Sequence, residues 1–421
     1  MAQAHDGSRS APVITGVGVI STIGQDRAAF EAALFAGQAR FGYLERPGRQ
    51  GDRPFVGAEL AEPLTERIPE KHRRLLRTAS LSAELALLAS LEAWQDAGLA
   101  TALLDSTRIG LVVGGSNMQQ RWLQQGRQRH GEQSKFISPT YGLTAWDSDL
   151  VGVLSQALEI RGEGHTVGGA SASGAMAILH AARQIQLGIT DVSLAVGALF
   201  DLSAWECQSF VNMGAMGGQR YADDPSGACR PFDRDAEGFI YGEGCGVVVL
   251  ESAEHARRRE QAVYGELLGG ACVMDANRGS QPDEQNEARV MQNALRVAGL
   301  TAQQIDYVNT HGTGTPIGDQ TEVAAIRSVG LSHCLLNATK SLTGHGLTAA
   351  GTIETIATLL QMKAGRCHPT RNLVHPIDPS LRWVMQESVS ASIRYAMSNS
   401  FGFGGLNTAL VFSNQHTLQH R

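Results

Sequence analysis

Four short stretches of the chain carry side chains suited to nucleophilic, proton-transfer or oxyanion chemistry. In GHTVGGASASGAMAILHAARQIQLG (164–188) a strand runs into Gly168-Gly169-Ala170, and a helix with apolar residues at i, i+3 and i+4 begins a few residues later. Ser171 falls at that corner, between Ala170, Ala172 and Gly174, which leave room for a substrate to approach. Backbone N–H groups at a helix start favour negative charge, so a nucleophile or an oxyanion is served there. The plain alternative is that Ser171 or Ser173 caps the helix. A hydrolase elbow, G-x-S-x-G, fits less well because Gly174 comes one residue late.

The second stretch, VNTHGTGTPIGD (308–319), presents His311, Thr313 and Thr315 on a loop after a strand. The third, ATKSLTGHGLTAAGTIET (338–355), contains Lys340, His345 and Glu354. The fourth, SNSFGFGGLNTAL (398–410), sets Phe401 among glycines. Each has a bland reading. A lone histidine is usually structural, Lys340 and Glu354 can form a surface pair worth at most ~1 kcal/mol, and Phe401 can belong to a glycine-rich turn before the last strand.

The elements that must position these groups alternate in type. Buried-strand runs recur at 12–21, 108–115, 192–198, 245–251, 306–312 and 409–413, and helical periodicity appears at 78–98, 173–188 and 284–299. Alternation of this kind implies mixed or parallel sheets covered by helices. A strand, a Gly/Ser/Thr-rich turn and a helix occur in both halves, which suggests a duplicated α/β unit with a seam at EHARRR (254–259). The expected division is a loose tail (1–11), an N-terminal half (12–255) carrying Ser171, and a C-terminal half (256–421) carrying His311, Lys340, His345 and Phe401.

Composition narrows the class. The chain has 421 residues, 43% hydrophobic and 18% charged, as expected of a globular enzyme with a large core. A net charge of −6 provides no broad basic face for nucleic acid. Six scattered cysteines with no C-x-x-C pair argue against a zinc site or a disulfide framework, and for reduced thiols in the cytoplasm. No apolar run approaches a membrane span, and the first twelve residues lack the apolar core of a signal peptide. The densest basic segment is PEKHRRLLR (69–77), with Lys71, Arg73 and Arg74. It reads either as a solvated helix face or as a docking patch for an acidic partner.

The four motifs, in this order, resemble the β-ketoacyl-ACP synthase family of thiolase-fold condensing enzymes. The resemblance extends from VITGVGVIS to SNSFGFGGLN and includes RPFDRDAEGFIYGEGCGVVVLE (230–251). It implies a duplicated five-layer αβαβα fold, a homodimer, and a substrate carried as an acyl-carrier-protein (ACP) thioester. No cofactor is implied beyond the phosphopantetheine that arrives on the ACP. His311 and His345 match the catalytic pair, Lys340 and Glu354 a supporting ion pair, Phe401 a gatekeeper, and Thr313 and Thr315 the malonyl pocket. Basic residues such as Lys71, Arg73 and Arg74 match the family's carrier-docking position.

One departure bears on mechanism. Aligned on the S-G and H-A-A-R that follow, Ser171 stands where the family has its nucleophilic cysteine. A thiol starts near pKa 8.5 and falls to ~3.5–7.5 at a helix N-terminus, so a thiolate is abundant. A hydroxyl receives the same modest help, at most ~1 kcal/mol, and still needs a general base. Decarboxylation of a malonyl thioester needs no covalent intermediate, only donors that stabilise an enolate in a dry pocket. The sequence is thus similar to the Cys-to-Ser decarboxylating ketosynthases of polyketide β-branching (HMG-CoA-synthase-type) cassettes. That similarity implies conversion of malonyl-ACP to acetyl-ACP beside other cassette enzymes. Two other readings stay open: a serine-dependent acyltransferase or hydrolase on acyl-ACP, and a non-catalytic partner like the chain-length factors of aromatic polyketide synthases.

Overall fold

The computed structural model describes residues 11–61 and 64–414. Apart from Ala11, the tail expected at residues 1–11 lies outside them.

In the first half, strand β1 (Val13–Ser21) is buried along its whole length, as a strand covered on both faces must be. It is joined by β2 (Ile109–Gly114), β3 (Gly164–Val167), β4 (Val192–Gly197) and β5 (Gly244–Glu251). The spatial order is β3-β2-β4-β5-β1. β2 is parallel to β3 and β4, while β5 is antiparallel to β4 and β1.

The second half repeats this plan with β6 (Gly265–Met274), β7 (Tyr307–Asn309), β8 (Leu335–Asn337), β9 (Tyr395–Gly402) and β10 (Leu406–Asn414). Its order is β8-β7-β9-β10-β6, with the same pattern of parallel and antiparallel neighbours. The halves join where Val13 pairs with Glu266 and Ile14 with Gly265.

Helices α1 (Leu81–Asp96) and α2 (Ser148–Leu158) cover the outer face of the first half. Between the halves runs α3 (Ser173–Gln186), while α4 (Glu284–Ala298) and α5 (Pro316–Val329) cover the second half from outside. Helix α6 (Ala350–Ala364) lies beside α3, and each of these two touches strands of both halves. The layers are therefore helix, sheet, helix, sheet, helix.

Sequence explains the middle layer. α6 is buried from Ala350 through Met362, and its row of Ala, Thr, Ile and Leu offers no charged face to solvent. Gly174 lets α3 cross it closely, since a Cβ there would lie 2.8 Å from the Thr352 nitrogen. The outer helices carry conventional stops. Asp283 caps α4 by accepting from the Asn286 N–H at 2.9 Å, Pro316 opens α5, and Gly299 and Gly330 end the two in left-handed conformation.

The segment expected as a seam forms a short helix, Ala253–Arg258, directly after β5. Arg259 and His255 both turn back onto buried Glu251, at 2.7 Å each. Phe401 lies inside β9 rather than in the glycine turn, which occupies the residues after Gly402.

Candidate active site

The Ser171 corner is a single helical turn, Ala170–Ala172, between β3 and α3. Ala170 is left-handed (φ 47°), an unusual state for a residue with a Cβ. Ser173 holds it there: its Oγ accepts from the Gly169 N–H at 2.9 Å and donates to the Ala170 carbonyl at 2.7 Å. The end of β9 packs on the same corner, where a Cβ on Gly402 would sit 2.5 Å from the Gly169 carbonyl oxygen. Ser171 is thus freed from capping. Its Oγ lies 2.9 Å from His345 Nε2.

Hydrogen-bond partners assign both histidine tautomers. His345 Nδ1 accepts the Leu347 N–H at 3.2 Å, which leaves the proton on Nε2. His311 Nδ1 faces Lys340 Nζ at 3.2 Å, which likewise leaves its Nε2 as a donor. The rings meet edge to face with centroids 5.6 Å apart, and Phe401 lies 5.6 Å from His311. Burial, reinforced by the neighbouring Lys340, holds both imidazoles well below the usual histidine range, so they are neutral.

Lys340 is the hub behind them. The three N–H bonds of its ammonium meet three acceptors: His311 Nδ1, the His311 carbonyl and Glu354 Oε1. Lys340 and Glu354 are each 1% exposed, so the surface-pair reading fails. Burial pushes the Glu354 carboxyl up to about 7, opposed by Lys340.

The loop after β7 is held from below by α5. Glu322 accepts the backbone N–H groups of His311 and Gly312 at 2.8 and 2.9 Å and the Asn399 amide at 3.1 Å. Asp319 accepts from Thr313 and Gly314 at 3.1 Å each. Thr313 and Thr315 share a hydroxyl hydrogen bond of 2.8 Å. Sequence reasoning missed Asp319, Glu322 and Asn399. The signal was the D-x-x-E spacing of GDQTE, which puts both carboxylates under the loop on one helix face.

A cavity of about 170 Å³ gathers Ser171, His311, His345, Phe401, Thr313 and Thr315 on its walls. Lys340 and Glu354 stand behind it and do not line it. The basic segment forms a helix, Glu70–Leu76, none of whose residues lines this cavity. Lys71, Arg73 and Arg74 are exposed, His72 is buried, and Arg73 pairs with exposed Glu70 at 2.6 Å.

What this arrangement can do follows from the protons. Two neutral imidazoles point N–H donors at one space, which suits an oxygen that gains negative charge. Neither is a ready base for Ser171, because each Nε2 carries hydrogen and each Nδ1 is occupied. In that tautomer the serine oxygen accepts from His345.

The chain matches the family model for the β-ketoacyl synthase N-terminal domain over residues 11–256 and that for the C-terminal domain over 264–374. It belongs to the β-ketoacyl synthase family. It is 49% identical over 96% of both chains to the polyketide biosynthesis malonyl-ACP decarboxylase PksF of Bacillus subtilis strain 168. To 3-oxoacyl-acyl-carrier-protein synthase 2 of Vibrio cholerae it is 33% identical, over 96% of this chain and 99% of the relative. Among solved structures, a type II polyketide ketosynthase in complex with its acyl carrier protein superposes with TM-score 0.85 at 25% identity. That match covers 97% of this chain and 100% of the other.

Proposed function

We propose that this protein decarboxylates malonyl-ACP to acetyl-ACP, supplying acetyl units for polyketide β-branching. The observation that carries the reading is the protonation pattern: two donor-only imidazoles face a hydroxyl that has no base. His311 and His345 Nε2–H groups bind the thioester oxygen, and the bond to the departing carboxylate breaks as the enolate forms on that oxygen. Each donor contributes ~10²–10³ in rate by analogy with oxyanion holes. Lys340, anchored by Glu354, fixes the His311 tautomer. Thr313 and Thr315 receive the malonyl carboxylate, and Phe401 gates entry. Ser171 is a hydrogen-bonding wall residue and is not acylated. The 49% identity to a malonyl-ACP decarboxylase supports this reading.

The carrier protein brings its own phosphopantetheine, and the chemistry draws on protein donors alone. Lys71, Arg73 and Arg74 form the docking patch for the acidic carrier. A second copy of the chain completes the assembly; the open edge of the sheet at β3 and exposed Phe136, Leu143 and Trp146 support that view. Other β-branching enzymes act beside it. No helix among the described residues is long and apolar enough to cross a membrane.

Incubation of the purified protein with malonyl-ACP, followed by mass, is expected to show conversion to acetyl-ACP with no acyl group on the protein. An acyl group trapped on Ser171 would establish the acyltransferase reading instead.

A further inference from the structure

A decarboxylating site has one task that a condensing site lacks. With no acyl-enzyme to attack, the enolate carbon must take a proton, and neither the imidazoles nor Lys340 is suited to giving one. The neutral imidazoles would have to become imidazolates, and the three Lys340 donors are already engaged.

Of the four carboxyl groups that line the same cavity, Asp319 and Glu322 hold the loop after β7 and Asp275 accepts from the Asn407 amide at 2.6 Å, which leaves Glu287 without a part. Glu287, in the first turn of α4, lines the cavity together with Ser171, His311 and His345. It is 2% exposed, and its Oε2 has no hydrogen-bond partner. A buried carboxyl oxygen without a partner calls for an explanation, and a catalytic role is one.

The charges facing it are nearly all of one sign. Glu322 and Asp319 approach from α5, Asp275 from just beyond β6, and Asp283 from the cap of α4 itself. Arg289, on the same helix, acts on Asp275. Burial first, then these carboxylates, hold the Glu287 carboxyl well above the usual carboxylate range. A carboxyl so placed keeps its proton to higher pH than an ordinary one.

We propose that Glu287 is the general acid that quenches the enolate, delivering its carboxyl proton, directly or through one cavity water, to C2 of the decarboxylated thioester. The proposal rests on the decarboxylase reading above. The C2–carboxylate bond breaks, its electron pair enters the enolate, and CO₂ leaves. C2 then takes the Glu287 proton to become the acetyl methyl group. The Glu287 carboxylate recovers a proton from solvent, so each turnover consumes one proton.

The test compares wild type with Glu287→Gln, which keeps the shape of the side chain but has no acidic proton, and with Glu287→Asp. Acetyl-ACP formation and the return of labelled CO₂ into malonyl-ACP are both measured. In Glu287→Gln, kcat for acetyl-ACP is expected to fall by about 10²–10⁴ with KM little changed. Labelled CO₂ exchange should rise relative to product, because an unquenched enolate recombines. The fall in wild-type rate as pH rises through the Glu287 titration should vanish in Glu287→Gln, and Glu287→Asp should recover part of the activity.

Equal kcat in Glu287→Gln would overturn the proposal, as would a slow variant with an unchanged exchange ratio and pH profile, the mark of a packing role. Wild-type protein that releases no CO₂ would overturn both this role and the decarboxylase reading. Wild-type turnover with an unaffected Glu287→Gln would overturn this role alone.

Discussion

The two helices of the middle layer begin in the same way and end up with different work. Before α3 the chain makes the turn Ala170–Ala172, and before α6 the turn Leu347–Ala349. Each opens on a left-handed residue that is not glycine, Ala170 at φ 47° and Leu347 at φ 50°. Each then presents a hydroxyl at the next position. Ser171 Oγ meets His345 Nε2 at 2.9 Å on a cavity wall, whereas Thr348 Oγ1 donates to the buried Ala198 carbonyl at 2.6 Å. His345 itself stands two residues before the second turn. One copy of the corner thus supplies a hydroxyl and the other an imidazole, and they face each other across the middle layer. Duplication provides the geometry; the local sequence decides which corner opens onto the cavity and which closes into the core.

Four substitutions sharpen or break that contrast. The largest stability effect is expected from Lys340→Met, which leaves Glu354 buried without its ammonium and costs ~3–5 kcal/mol. The sign with pH follows from the raised carboxyl. The unfolded Glu354 ionises near 4.5, while the folded one is pushed up to about 7 even with Lys340 present. The loss is therefore greatest above pH 7 and fades as pH falls through about 7, below which folded Glu354 holds its proton with or without Lys340. Denaturation of variant and wild type across that range checks it.

Next comes His311→Ala, expected to lower kcat/KM for malonyl-ACP by about 10²–10³ while the fold persists, as one oxyanion donor is lost. Third is Thr348→Val at the closed corner. Removing a buried donor from the Ala198 carbonyl should cost ~1–3 kcal/mol in denaturant titration and leave kcat unchanged. Smallest is Ser171→Ala at the open corner, where turnover is expected to stay within about tenfold, or 1.4 kcal/mol, of wild type. A dead Ser171→Ala enzyme would mean that the open corner is a nucleophile after all.

The parts legible in sequence were those governed by local rules. The strand at 13–21, the helices at 81–96, 173–186 and 284–298, and the serine corner between them follow from apolar periodicity and glycine placement. Short strands such as Leu335–Asn337 left too brief a pattern to read, and α6 was hidden because a helix buried on all sides has no polar face to mark its period. Phe401 looked like a turn residue because its glycine neighbours describe the loop after it and not its own strand. Glu287 was illegible for a related reason. In EQNEARVMQNALRVAG it reads as one more surface charge, and only the packing of α4 against the cavity buries it.

Residue identity alone determined that this protein offers a hydroxyl, two imidazoles, a lysine and a phenylalanine in the order of a ketosynthase. Which way each proton points was decided by contacts made on folding, local for His345 and tertiary for His311. His345 takes its tautomer from the Leu347 amide, and His311 from a lysine 29 positions away that Glu354 anchors. Hydrogen-bond direction depends on the partner in space, and for His311 that partner is set by how the second half folds Lys340 and Glu354 beneath the loop after β7.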